Sequence, residues 1–373
     1  MMQELTLGYQ EKIVYKLRSL YSSYGYAQYK MSKFEEYDLY ARNKDFLLSD
    51  KVITFMDTSG RLMALKPDVT LSIVKNTKDQ SAALQKLYYN ENVYRAANGT
   101  CSFREITQVG LECLGAVDDY CIWEVLLLAA KSLQAVSAEG ILEISHLGML
   151  SELIDTIGVP GGEKSRLLAC IGQKNVHEAA ALCRGWGITE ENIQILSRLI
   201  MTGGKPKEVL PEVKALLKGI IDTGSIDSLI CIADGLERSG MGEMLRFDFS
   251  VVDDIHYYNG ILFKGFVPGI PNSVLSGGQY DKLLRKMYRK DGAIGFAVYM
   301  DTLERLDMQR KDYDVDTVVL YDTVDLDGLQ KLVTQLQSEG KSVMVQRDLP
   351  EDIRYRQIVK LQGSEVQTLE NNA

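Results

Sequence analysis

Asp248-Phe-Ser-Val-Val-Asp253-Asp254-Ile-His256-Tyr257-Tyr258-Asn259-Gly260, then Ser276-Gly-Gly-Gln279-Tyr280-Asp281, then Gly295-Phe-Ala-Val-Tyr299-Met-Asp301-Thr302, are the most informative pieces of the chain. The apolar runs at residues 245–252 and 261–266 read as strands. Between them Asp253-Asp254, taken alone, reads as a solvated turn. The paired tyrosines that follow, Tyr257 and Tyr258, lead into the second strand. A lone tyrosine or glutamine facing inward from a sheet is ordinarily a satisfied core polar residue, so its meaning depends on company.

Outward from this stretch the chain reads as an α+β protein. The first 25 residues have helical spacing at Leu5, Tyr9, Ile13, Leu17 and Leu20, with Gly25 as the stop. Residues 51–65 alternate around Asp57-Thr-Ser-Gly60 and predict a hairpin. Pro67 halts the second strand, and residues 68–75 open a helix behind it. Strand-like runs follow at 87–95 and 105–114, then a core helix from Asp118 and a short strand near 140–144. Residues 149–243 are helical in period, broken by Gly158-Val-Pro-Gly-Gly162, Gly185-Trp-Gly187 and Gly203-Gly-Lys-Pro206. Strands on both sides of a helical segment, in place of alternating βαβ units, imply an antiparallel sheet with a helical insertion. The expected division is a core of residues 1–148 and 244–310, an insertion of 149–243, and a small α/β module of 311–373. In that module the pattern predicts strand 315–321, helix 325–339, strand 342–346 and helix 351–361, with Gly340 at the C′ position of the first helix.

At 373 residues the chain is long enough for two or three domains with their own cores. A hydrophobic content of 46% and a charged content of 25% are ordinary for a soluble protein. No apolar run approaches a membrane span, and the first residues lack a signal peptide's apolar region. A cytoplasmic location is expected. Six cysteines at irregular spacing, with no C-x-x-C pair, read as reduced thiols. Three scattered histidines, at 146, 177 and 256, give a metal site little support. A net charge of −9 gives no help to nucleic-acid binding, although a local basic face would suffice for it.

The quoted pieces resemble, in order, the second half of the histidyl-tRNA synthetase catalytic core, of the class II aminoacyl-tRNA synthetase fold. The first half carries the matching resemblance. Leu65-Lys-Pro-Asp68-Val-Thr70 is similar to the element that holds the amino acid's ammonium group there. Val93-Tyr-Arg95, continued by Phe103-Arg104-Glu105-Ile-Thr-Gln108-Val-Gly110-Leu-Glu112, resembles motif 2 and the strand after it. Such a fold implies a class II antiparallel sheet flanked by helices. It also implies a cleft for a small zwitterion. Asp68, Thr70 and Gln108 offer the carboxylate and neutral acceptors that an ammonium group needs. Glu112 and Tyr258 offer a partner to each nitrogen of an imidazole. The resemblance places Tyr280 beside the ring as well, counts Tyr257 among the residues of the same ligand pocket and retains Arg95.

The departures from the family pattern bear on activity. Asp253 stands where the synthetases place the arginine that faces the substrate carboxylate, and Ala97 replaces the motif 2 glutamate. Tyr299 and Thr302 replace the small glycine and the ATP-facing arginine of motif 3, with Arg305 one helical turn further on. Ser32 replaces the proline of motif 1 at the two-fold interface. Losing one donor to a transition state costs ~10²–10³ in rate, and here two cationic groups are missing. The C-terminal module is also short for a complete anticodon-binding domain.

This combination resembles the synthetase-like paralogues that serve as regulatory subunits of ATP phosphoribosyltransferase in histidine biosynthesis. The resemblance implies no catalytic residues and no cofactor, with histidine as effector. It also implies a short-form catalytic subunit as partner and a homodimer within a larger hetero-oligomer, without tRNA. A divergent histidyl-tRNA synthetase and a stand-alone histidine-binding sensor are the alternative readings.

Overall fold

The computed structural model of the chain describes residues 8–47, 51–77, 84–96, 102–252, 257–289, 292–306, 313–362 and 365–372. Ala97, Cys101, Asp253, Asp254 and His256 lie outside the described residues, as does the side chain of Arg305. The chain divides into two compact units, Gln10–Glu304 and a second that holds the residues from Arg305 onward.

In the larger unit, helix α1 (Tyr9–Ser23) buries Ile13, Leu17 and Tyr21, one residue per turn, and Gly25 follows it at φ +81°. Strand β1 (Ala27–Gln28) comes next. Strands β2 (Phe34–Glu36), β3 (Thr54–Met56) and β4 (Leu62–Leu65), with α2 (Tyr37–Arg42) between the first two, form a small sheet in the order β2-β4-β3. The expected hairpin is β3–β4. Its turn is held by Asp57, whose Oδ1 accepts from the backbone N–H groups of Ser59 and Arg61, each at 2.8 Å. Asp68 then caps α3 (Val69–Asn76), accepting from Leu71 N at 2.8 Å.

Two long strands, β5 (Gln85–Ala96) and β6 (Phe103–Gly115), pair antiparallel, and α4 (Asp119–Val136), capped by Asp118, follows. Strand β7 (Ile141–His146) leads into the helical segment: α5 (Leu147–Thr156), α6 (Lys164–Gly172), α7 (Val176–Gly185), α8 (Glu190–Met201), strand β8 (Gly203–Gly204), α9 (Pro206–Leu217) and α10 (Gly224–Arg238). The chain returns as β9 (Leu245–Asp248), then β10 (Ile261–Phe266), β11 (Leu275–Gln279), α11 (Asp281–Lys286) and β12 (Gly292–Tyr299).

These strands make a nine-stranded sheet in the order β1-β5-β6-β12-β11-β10-β7-β9-β8. It is antiparallel except at β1/β5 and β7/β9. This is the class II synthetase-like α+β fold that the sequence implies. Two local expectations change. Gly203-Gly204, read as an interruption, pairs with β9 as the edge of the sheet. The strand expected over 245–252 stops at Asp248, whose carboxylate accepts from Ser250 N at 2.9 Å and Ser250 Oγ at 2.6 Å and so turns the backbone.

The C-terminal unit holds β13 (Val315–Tyr321), α12 (Leu326–Ser338), β14 (Val343–Gln346), β15 (Tyr355–Gln362) and β16 (Glu365–Asn371), in sheet order β14-β13-β15-β16. Gly340 lies at φ +80° just past α12, the left-handed stop its position predicts. The helix expected over 351–361 is absent, because residues 355–362 form β15. Its period is two: Ile358 packs with Val315 and Val318, while Val359 and Leu361 join the cluster of α12. Pairing with β13 on one side and β16 on the other outweighs helical propensity. Among the described residues no helix is long and apolar enough to cross a membrane, and no group of His, Cys, Asp and Glu could hold a metal ion.

Candidate functional site

Register on the large sheet lays out a trough. Strand β6 directs Gln108, Gly110 and Glu112 to one face, and β12 places Tyr299, Ala297 and Gly295 directly opposite them. Ser276 of β11 stands across from Ala297, and Tyr89 of β5 across from Gly110. Glycine, alanine and serine leave the middle of this face low, while larger side chains rise around it. Over the trough stand Asp68 and Thr70 at the start of α3, Arg95 near the end of β5, Tyr257 and Tyr258 before β10, and Tyr280 just before α11. Together they line a narrow, half-open cavity. All eight residues singled out from the sequence, Asp68, Thr70, Arg95, Gln108, Glu112, Tyr257, Tyr258 and Tyr280, are in its wall.

The quoted motifs hold one another in this arrangement. Gln279 Oε1 accepts from Ile261 N at 2.9 Å, and Asn259 Nδ2 donates to Asp281 Oδ2 at 3.2 Å. The other oxygen of Asp281 accepts from Ala293 N at 2.9 Å, which ties α11 to β12. Gly278 lies under the ring of Tyr258, where an added Cβ would stand 2.7 Å from Cδ1. The rings of Tyr257 and Tyr258 are 4.8 Å apart at 64°, and Tyr257 also meets Tyr280 and Phe46 at 5.8 and 6.0 Å. Tyr257 is therefore fixed by aromatic packing against three rings, one of them its neighbour Tyr258.

Glu112 is the centre of the site and is 2% exposed. Its Oε1 accepts from Thr70 Oγ1 at 2.7 Å and its Oε2 from the Tyr280 hydroxyl at 2.5 Å. Burial pushes its carboxyl up to about 8; the two hydroxyl bonds oppose the shift and the charge of Asp68 adds to it. Asp68 is also raised by burial, opposed chiefly by Arg95, whose guanidinium lies 3.9 Å from the carboxylate while its Nε donates to Pro67 O at 2.9 Å. Burial drives the phenols of Tyr89, Tyr257 and Tyr280 far above their usual range. The cavity thus offers two carboxyl groups, one guanidinium and several hydroxyls in a low-dielectric setting. A ligand that brought positive charge or a ring N–H to Glu112 would let that carboxyl ionise.

Sequence reasoning missed Tyr89, Ser276, Gly295, Phe296 and Ala297 as lining residues. The small ones carry no chemical signal and gain meaning only once strand register is known. Tyr299, noted in the sequence as a departure from motif 3, also lines the cavity. Thr302 donates its hydroxyl to Tyr299 O at 2.6 Å.

Residues 5–303 match the family described as histidyl-tRNA synthetase. An ATP phosphoribosyltransferase regulatory subunit from Caldanaerobacter subterraneus subsp. tengcongensis is 31% identical over 304 residues, covering 79% of this chain and 78% of that protein. Among solved structures, an ATP phosphoribosyltransferase regulatory subunit/histidyl-tRNA synthetase from Bacillus halodurans superposes with a TM-score of 0.76 at 22% identity, covering 94% of this chain and 93% of the other. A chain of the ATP phosphoribosyl transferase HisG:HisZ complex from Thermotoga maritima superposes with a TM-score of 0.63 at 18% identity, covering 78% of this chain and 97% of the other.

Proposed function

The chain belongs to the histidyl-tRNA synthetase family, among its ATP phosphoribosyltransferase regulatory subunits, and from that premise we propose that it activates a short-form catalytic subunit and relays histidine feedback to it. The catalytic partner would condense ATP with phosphoribosyl pyrophosphate, and this chain would contribute no bond-making residue. The observation that carries the reading is the convergence of the eight residues on one cavity around Glu112.

Free histidine suits that cavity chemically. Its imidazole can donate to Glu112 once the carboxyl ionises, and its ammonium group can meet Asp68, Thr70 and Gln108. Both carboxyl groups are raised by burial and so gain from a cationic ligand. A homodimer within a hetero-oligomer, and the absence of tRNA from its partners, are part of the same reading. A regulatory ligand can shift its partner only by its differential affinity for two states, typically ~1–3 kcal/mol.

The test reconstitutes the short phosphoribosyltransferase with this chain and titrates histidine. Activity that rises on adding the chain and falls with histidine is expected. A partner equally active alone, or a complex indifferent to histidine, would overturn the reading.

A further inference from the structure

We propose that Tyr299 is the end wall of the cavity and restricts its ligand to a free amino acid, excluding the same amino acid extended through its carboxyl group. This rests on the reading of the cavity as a histidine site. It concerns a residue whose role that reading leaves open.

The trough has a closed end and a guarded one. At the closed end Glu112 is held by Thr70 and Tyr280, directly across from Gly295. Along β12 the face then reads Gly295, Ala297, Tyr299: no side chain, a methyl group, then a phenol ring. At ~3.4 Å per residue the strand covers ~14 Å between the first and the third. Gln108 stands at the same level as Tyr299 on the neighbouring strand, so the trough is crossed there by two large side chains.

Tyr299 is half-buried at the last position of β12. Its carbonyl accepts from the Thr302 hydroxyl, and its N–H donates to Val274 O at 2.9 Å. The backbone that carries the ring is therefore tied on both sides. An imidazole anchored at Glu112 directs the amino and carboxyl groups of its ligand along the trough toward Gln108 and Tyr299. A bare carboxylate stops short of that pair. A bulky group attached to that carboxyl would have to occupy the volume of the phenol ring, and pocket shape of this kind discriminates by roughly 10–200-fold.

The experiment measures binding of L-histidine and of its non-hydrolysable sulfamoyl-adenosine conjugate to the full chain and to Tyr299→Phe and Tyr299→Ala. The parent and Tyr299→Phe are expected to bind histidine and to bind the conjugate at least about tenfold more weakly. Tyr299→Ala should shift the ratio of the two affinities about tenfold toward the conjugate, and its retained histidine binding reports that it is folded. Tyr299→Leu is the second opening variant should the alanine variant be unstable. A parent that binds both ligands equally, or opened variants with the parent's ratio, would overturn the role of Tyr299 while the histidine site stands. A parent that binds neither ligand would overturn the histidine reading, and this proposal with it.

Discussion

Gly295 and Glu112 face each other across β12 and β6, and a Cβ added to Gly295 would stand 1.8 Å from Glu112 Oε2. The carboxylate occupies the space of the missing side chain, and there it receives the Tyr280 hydroxyl. Gly295→Ala should displace Glu112, break that bond and cost ~1–3 kcal/mol of stability through overpacking. Urea denaturation of the variant checks the cost. Histidine-induced thermal stabilisation should vanish in it, even under conditions where it remains folded.

The ligand-free protein should lose stability as pH rises from acid to mildly alkaline. Glu112 titrates at about 8 in the native chain, above its usual 4.5. The folded state therefore holds a proton that the unfolded chain releases. The resulting stability is complete below 4.5 and is lost as pH rises through about 8. Asp68, raised in the same direction, adds to the trend, while Arg95 opposes it. Melting temperatures recorded across this range should fall, and Glu112→Gln, which has no proton to lose, should flatten the profile. A parent and a variant with the same slope would exclude Glu112 as the source.

In the reconstituted complex, Glu112→Gln should separate feedback from activation. The amide keeps the shape of the group but cannot carry the charge that a bound imidazole or ammonium group stabilises. The expected complex is active and insensitive to histidine. Measuring phosphoribosyltransferase activity against histidine for parent and variant checks this, and equal inhibition of both would contradict it.

Lys66 is fully buried and pairs with Glu91 at 2.9 Å. Burial lowers its pKa and the Glu91 bond opposes that shift. Glu91→Ala leaves an uncompensated buried ammonium group and should cost ~3–5 kcal/mol, read as a lower denaturation midpoint. Replacing the pair together by Lys66→Met and Glu91→Leu should recover much of that loss.

No histidine-dependent exchange of pyrophosphate into ATP is expected. Tyr299 lines the cavity, and Thr302, at the position where the synthetases carry an ATP-facing arginine, bonds to the backbone. Exchange above background that disappears in Arg95→Ala would restore the synthetase reading.

Elements with a local cause were legible in the sequence. Asp68 and Asp118 cap the helices their positions predict, Asp57 and Gly60 turn the first hairpin, and Gly340 stops α12. Elements with a distant cause were not. Residues 355–362 read in sequence as part of a helix and become a strand because β13 and β16 pair with them. Gly203 and Gly204 have no strand propensity and are held by β9. The same split runs through the cavity. Glu112 and Tyr280 could be named from chemistry. Gly295 and Ala297 matter for what they lack, and only register brings them opposite Glu112 and Gly110.

Glu112 and Tyr280, joined by a 2.5 Å hydrogen bond in the site, are 168 positions apart. A ribosome adding about 5–20 residues per second needs roughly 8–34 s to travel between them. Throughout that interval β6 has β5 on one side and nothing on the other, since β12 follows Tyr280 in the chain. The nascent protein therefore presents an open sheet edge to its surroundings, with Glu112 in water as an ordinary ionised carboxylate. The proton of the finished cavity is taken up only when the last strand of the sheet closes over it.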